Sequence, residues 1–280
     1  MSTAHILILG AIAGATIFLG LPVARMHGLG PNARSGLSAL ATGILVFLFW
    51  DVMTNAVDPI ETSLEAHHWG KFTELSVLGA AGFIAGLMSL VYYDAWMKSR
   101  ADRRSTTLVG PGAAAVDEFV ERRRLDLTNP AIRLSFLIAI GIGVHNFAEG
   151  LAIGQAAASD EIALATLLVI GFALHNATEG FGIVAPLAGE PNRPSWGFLA
   201  LLGVIGGGPT LVGTLVGQSF VNDTVSIAFL ALAAGSILYV IVQLLRVAQN
   251  LGRRTLMYWG LLLGLLLGFA TDFVIVAAGA

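Results

Sequence analysis

Residues 145–150 read His-Asn-Phe-Ala-Glu-Gly, and residues 175–180 read His-Asn-Ala-Thr-Glu-Gly. One pattern, HNxxEG, therefore occurs twice, with its two histidines thirty positions apart. On a helix, residues i and i+4 share a face. Each segment thus stacks an imidazole on a carboxylate, His145 on Glu149 and His175 on Glu179, with Asn146 or Asn176 beside the histidine. Both segments are embedded in apolar sequence, where an ionisable side chain is expensive and is usually there for function. Two carboxylates and two imidazoles brought to one place need a common partner, and a divalent cation would use all four. Mixed nitrogen and oxygen donors suit zinc, and exclude iron(II), manganese or cadmium less than calcium or magnesium. The chain has no cysteine, so no thiolate competes for the ion and binding can stay weak enough for release. The alternative is that these side chains only hydrogen-bond between helices. Of the six histidines, His5, His27, His67 and His68 are terminal or in loops, and only the motif pair is deep.

The elements that hold the motifs follow from hydropathy. Of the 280 residues, 56% are hydrophobic and 12% are charged, about half the charge of a soluble domain. Mean hydropathy is +0.79. Apolar runs of about 20 residues read as transmembrane helices, and they recur along the whole chain. Eight are expected, at 4–24, 36–57, 72–96, 131–157, 161–187, 195–219, 224–247 and 255–279, forming one transmembrane domain over residues 1–280. The first stretch, Ile6 to Val23, lacks a basic leader and reads as a mature helix. Residues 58–71 read as a polar, acidic loop, and 97–130 as a basic cytoplasmic loop. Within the latter, Val116 to Leu125 is amphipathic and is expected at the membrane surface, its arginines near anionic lipid.

Charge then sets orientation. In the eight-span plan, fourteen of the fifteen Lys and Arg residues fall on one side and only Lys71 on the other. The positive-inside rule puts loop 97–130 in the cytoplasm and both termini outside it, in the inner (plasma) membrane. A seven-span plan would break this separation. Spans four and five are antiparallel, and each motif histidine lies fourteen residues from the end at which its span begins. At a rise of about 1.5 Å per residue that is about 21 Å, so the two motifs overlap near the bilayer middle.

Other residues leave alternatives open. Asp51 and Asp272, in the outer halves of spans two and eight, either form an entrance path for a cation or pair with nearby polar groups. Gln243 could donate to a motif carboxylate from behind. Glu61, Glu65, His67 and His68 could gather metal outside, or simply form a solvated acidic loop. Gly206, Gly207 and Gly208 before Pro209 permit close packing or a kink in span six. There is no P-loop, so pumping by ATP hydrolysis is unsupported. An intramembrane zinc hydrolase and a receptor with a structural metal are the competing classes. Against the first, no HExxH motif and no serine nucleophile with a nearby base is present.

The two motifs and the eight-span plan resemble the ZIP (Zrt-, Irt-like protein) metal transporters, in particular their bacterial GufA-like branch, which carries an HNxPEG-type sequence in spans four and five. The resemblance implies an all-α integral membrane protein, a 3+2+3 bundle in which spans one to three and six to eight form an inverted repeat around the four–five pair. It implies that His145, Asn146, Glu149, His175, Asn176 and Glu179 line the transport site. The metal would be the transported substrate, with no separate cofactor. Partners would be the divalent ion and membrane lipids, with no nucleic acid; a homodimer is left open. The sequence departs from the family pattern in three respects. Ala148 and Thr178 replace the motif proline. Gly208, Gln243 and Leu244 stand where a span-six Glu and a span-seven His-Glu pair are often found. Loop 97–130 contains no histidine.

Overall fold

The computed structural model describes residues 3–26, 30–107, 127, 129–159, 161–190, 192–219, 222–251 and 254–277. Among them the chain is helical without a strand, and eight helices are long and apolar enough to cross a membrane. They run Thr3–Arg25, Pro31–Glu65, Trp69–Arg100, Pro130–Ala158, Ile162–Ala188, Trp196–Gly217, Thr224–Asn250 and Arg254–Val274, here called spans one to eight. In hydrocarbon every backbone group must be satisfied within the protein, which is why helices are the form these runs take. Their starts are set by local chemistry. Pro130 opens span four behind Asn129, whose side chain accepts from the amides of Ala131 (2.8 Å) and Ile132 (3.2 Å). Ser195 accepts from the amide of Phe198 at 3.1 Å to start span six.

Two expected loops are shorter than the sequence suggested. The span-two helix continues through Glu65 and the next begins at Trp69, leaving a turn at Ala66, His67 and His68 in place of a loop over 58–71. His67 turns the chain at a φ of 58°. Likewise the third helix continues to Thr107. Polar residues outside a bilayer can extend a helix as well as end one, so hydropathy marks the membrane edge and not the helix edge. The amphipathic segment Val116 to Leu125 lies outside the described residues.

Neighbour relations follow the inverted repeat. Span two packs on span eight as span seven packs on span three, and span six lies along span four as span one lies along span five. Exchanging one with six, two with seven, three with eight and four with five maps these pairs onto each other. Glycines make the matching contacts. Gly43 of span two lies against the backbone at Leu261 and Gly264, and Gly235 of span seven against that at Phe83 and Leu87. A side chain at either would collide with main chain, so only glycine lets these helices approach so closely.

The result is two sub-bundles. Spans one, four, five and six form one, and spans two, three, seven and eight the other, meeting mainly where span four lies against span seven and span two against span five. The main core lies along this junction, with Leu45, Leu137, Ile138, Ile142, Ile237 and Leu244 almost fully buried.

Candidate metal centre

Both motif helices run unbroken through HNxxEG, Pro130–Ala158 and Ile162–Val184. The absence of the motif proline removes the missing donor that would interrupt them. In span five Thr178, at that position, bonds its hydroxyl back to the carbonyl of His175 at 2.6 Å. Continuous helices keep the i, i+4 register, and all six motif side chains are buried: His145, Asn146, Glu149, His175, Asn176 and Glu179 are each 9% exposed or less.

Glu149 is the hub. Its Oε1 lies 3.0 Å from His145 Nε2 on the same helix and 2.5 Å from His175 Nε2 on the next. His145 Nε2 is 3.9 Å from Glu179 Oε1. One donor atom from each of His145, Glu149 and His175 fits within a 4.8 Å span, and among the described residues this is the single group of three or more such side chains with that property. Glu179 stands at its edge. A tetrahedral shell with bonds of about 2.1 Å has edges of about 3.4 Å, so small side-chain movements would close these three donors on one ion.

The asparagines do a different job on each side of the amide. Asn146 donates from Nδ2 to the carbonyl of Gly206 in span six (2.9 Å), and Asn176 donates from Nδ2 to the carbonyl of Ala13 in span one (3.1 Å). These are equivalent bonds under the inverted repeat. Each is made near an irregular point of the recipient helix. Thr16 interrupts span one, and Pro209 lacks the amide that would bond to Ile205. Gly143 of span four lies against that freed Ile205 carbonyl. With their amino groups fixed, both asparagines keep Oδ1 buried without a hydrogen bond.

The same holds for His145 Nδ1, Glu149 Oε2 and both carboxylate oxygens of Glu179. Buried polar atoms are nearly always partnered, and leaving one without a partner costs about 1–3 kcal/mol. Six such atoms from five motif residues, five of them oxygens, make a strongly electron-donating pocket.

The remaining sequence candidates separate. Asp51 is half-buried, takes a bond from the Asn55 side chain at 3.3 Å, and lies within electrostatic range of His175, His145, Glu149 and Asp272. It is therefore closer to the cluster than its place in the outer half of span two suggested. Leu244 is fully buried and packs near Gly182, and Gly208 faces open space beside Val204. Gln243 lies beside Tyr239. Glu61, Glu65, His67 and His68 do not form a group able to hold a metal among the described residues; His67 Nδ1 instead meets the Glu65 carbonyl at 2.8 Å.

The family model described as ZIP Zinc transporter matches residues 118–275, more than half of the chain and including both motifs. The chain belongs to the ZIP zinc transporter family. It is also similar to the zinc transporter ZupT of Corynebacterium glutamicum, with 28% identity over 263 residues that cover 90% of this chain and 94% of the relative. As a ZIP-family protein it is a membrane transporter of divalent metal and not an enzyme. The HNxxEG pair, found from spacing alone, lies within the ZIP match.

Proposed function

We propose that this protein carries zinc across the membrane through a site made by His145, Glu149, His175 and Glu179, with Asn146 and Asn176 able to add amide oxygens. The observation that carries the proposal is the set of buried, unpartnered lone pairs gathered around Glu149. A divalent ion would engage several of them at once, and would neutralise two carboxylates that otherwise sit uncompensated at depth. Histidine nitrogen with carboxylate oxygen, and no sulfur, favours zinc while leaving iron(II), manganese and cadmium as competitors. Asp51, with Asp272 in its electrostatic range, is suited to draw a cation toward the site. The fourteen-to-one distribution of basic residues supports a cytoplasmic loop 97–130 and outside termini. Exposed apolar side chains such as Val77, Ile84, Leu174 and Leu266 would meet lipid.

The test is metal uptake into proteoliposomes with a panel of divalent ions. Zinc flux that disappears in Glu149→Ala, at equal protein content, is the expected result. Zinc flux that survives that change refutes the site, and no zinc flux alongside robust manganese or iron flux refutes the choice of substrate. Since the chain has no native cysteine, Ser105→Cys provides a clean orientation test. Its labelling by an impermeant reagent from outside intact cells would reverse the topology.

A further inference from the structure

We propose that the ion pair between Arg133 and Asp94 is a gate latch, holding the two sub-bundles together at the end of the transport path that carries loop 97–130. The proposal rests on the transport reading above and adds a gating residue to it. Arg133 lies in the first turn of span four and Asp94 about two turns before the end of span three, so the pair bridges the seam between sub-bundles. Arg133 Nε lies 3.3 Å from Asp94 Oδ1, with the side chains 13% and 33% exposed.

Elsewhere span four is tied across this seam by neutral groups. At mid-depth the Ser236 hydroxyl of span seven is shared between the Ala233 carbonyl of its own helix at 2.7 Å and the Gly141 carbonyl at 3.0 Å. At the far end Gln155 donates to the Ser226 hydroxyl at 2.9 Å. Beside these ties the seam borders an open groove. A cleft of about 380 Å³ opens among Gly143, Phe147, Pro209, Phe229 and Leu232, with almost wholly apolar walls. Of these three ties between span four and the other sub-bundle, the one at the loop-97–130 end is held by charge.

Tyr239 makes that end unusual. It is 3% exposed, and its hydroxyl makes no hydrogen bond of ordinary length. Asp94, Arg133 and Arg246 lie within its electrostatic range, with Gln243 beside it. An arginine and an aspartate from opposite sub-bundles thus meet within electrostatic range of a buried hydroxyl that also has Gln243 beside it. Separating them leaves a partly desolvated charge without its partner, which resists opening. While they are joined, the guanidinium also repels a cation approaching Asp94. Opening on this side requires that the pair part.

The cysteine-free chain supplies a reporter. Val240 is fully buried on span seven and lies against Gly141 across the seam, so Val240→Cys is a small change in the region the latch closes. The experiment measures its reaction with an impermeant thiol reagent, applied to proteoliposomes from the loop-97–130 side. Adding Arg133→Gln is expected to raise the labelling rate about fivefold, the equivalent of losing a pair worth about 1 kcal/mol. The exchange Arg133→Asp with Asp94→Arg is expected to return the rate toward the parent value. If Arg133→Gln does not fold, Asp94→Asn must show the same rise. An unchanged rate, or an exchanged pair that labels as fast as Arg133→Gln, overturns the proposal. Zinc flux by the parent in the same vesicles separates this failure from failure of the transport reading.

Discussion

Spans four and five carry the same motif but live in different surroundings. In the apolar stretch of span four, 72% of residues are buried, against 28% in span five. Span four lies between span six and span seven and is tied across the seam at three levels. Span five turns Ile162, Ile170 and Leu174 outward. The carboxylates follow suit. Glu149 lies against both imidazoles, whereas Glu179 comes no nearer than 3.9 Å to His145. Identical letters in an inverted repeat therefore do not make identical ligands. In the proposed site, the donors around Glu149 would need little movement to hold an ion, and the Glu179 carboxylate would have to move to join them.

The largest effect expected from this contrast is in flux. Glu149→Ala should lower zinc uptake at least about 100-fold, and His145→Ala should come close, because each dismantles the assembled half. Glu179→Ala should cost about tenfold. Vesicle uptake with matched protein amounts decides it, and an equal or larger loss from Glu179→Ala would remove the asymmetry.

The asparagines should show the opposite behaviour, since their amino groups make matching bonds. Asn146→Ala and Asn176→Ala should each destabilise the folded protein by about 0.5–1.5 kcal/mol, because each removes a buried hydrogen bond between helices. Thermal unfolding in detergent measures this. If metal affinity falls while both melting temperatures stay put, the asparagines are ligands only.

A smaller effect is expected at Asp51. Replacement by Asn keeps the shape and removes one charge in range of the cluster, so uptake at low zinc should fall about threefold while the rate at saturating zinc is kept. A change confined to the saturating rate would place Asp51 in the site itself.

The finest distinction is one ion against two. Glu149 and Glu179 balance a single divalent cation, and Gly208, Gln243 and Leu244 bring no further charge. Anomalous scattering from a zinc- or cadmium-soaked crystal should give one strong peak among His145, Glu149, His175 and Glu179. Two full peaks about 4–5 Å apart, a little beyond the spacing of bridged pairs, would mean that Asp51 or another carboxylate enters the count.

The eight spans were legible because hydrocarbon demands long apolar runs, and the motif pair because i, i+4 spacing survives on any continuous helix. Three features were not. The amide of Asn146 reads as a ligand in sequence, but which of its two ends is engaged depends on Gly206, sixty residues away. Asp51 looked too far outward because tilt and helical phase do not show in hydropathy. The pairing of Arg133 with Asp94 was hidden because basic residues at a span end read as orientation signals. A trace of the inverted repeat was present all along. Ala39-Leu40-Ala41-Thr42-Gly43 in span two matches Ala231-Leu232-Ala233-Ala234-Gly235 in span seven at four of five positions, and each segment ends on the glycine that admits a neighbouring backbone.

The long second helix has a practical side. Its 35 residues extend about 52 Å, against a hydrocarbon core of about 30 Å, so about two turns stand clear of the bilayer before the tight turn at Ala66 to His68. A protein of 29.2 kDa buried in a detergent micelle gives electron-microscope images little to align on. A helical fusion spliced into that turn would be carried by two helices already in register with the spans beneath them. It would stand as a stiff mast whose orientation reports that of the sub-bundle containing spans two and three, far from Glu149 and its neighbours.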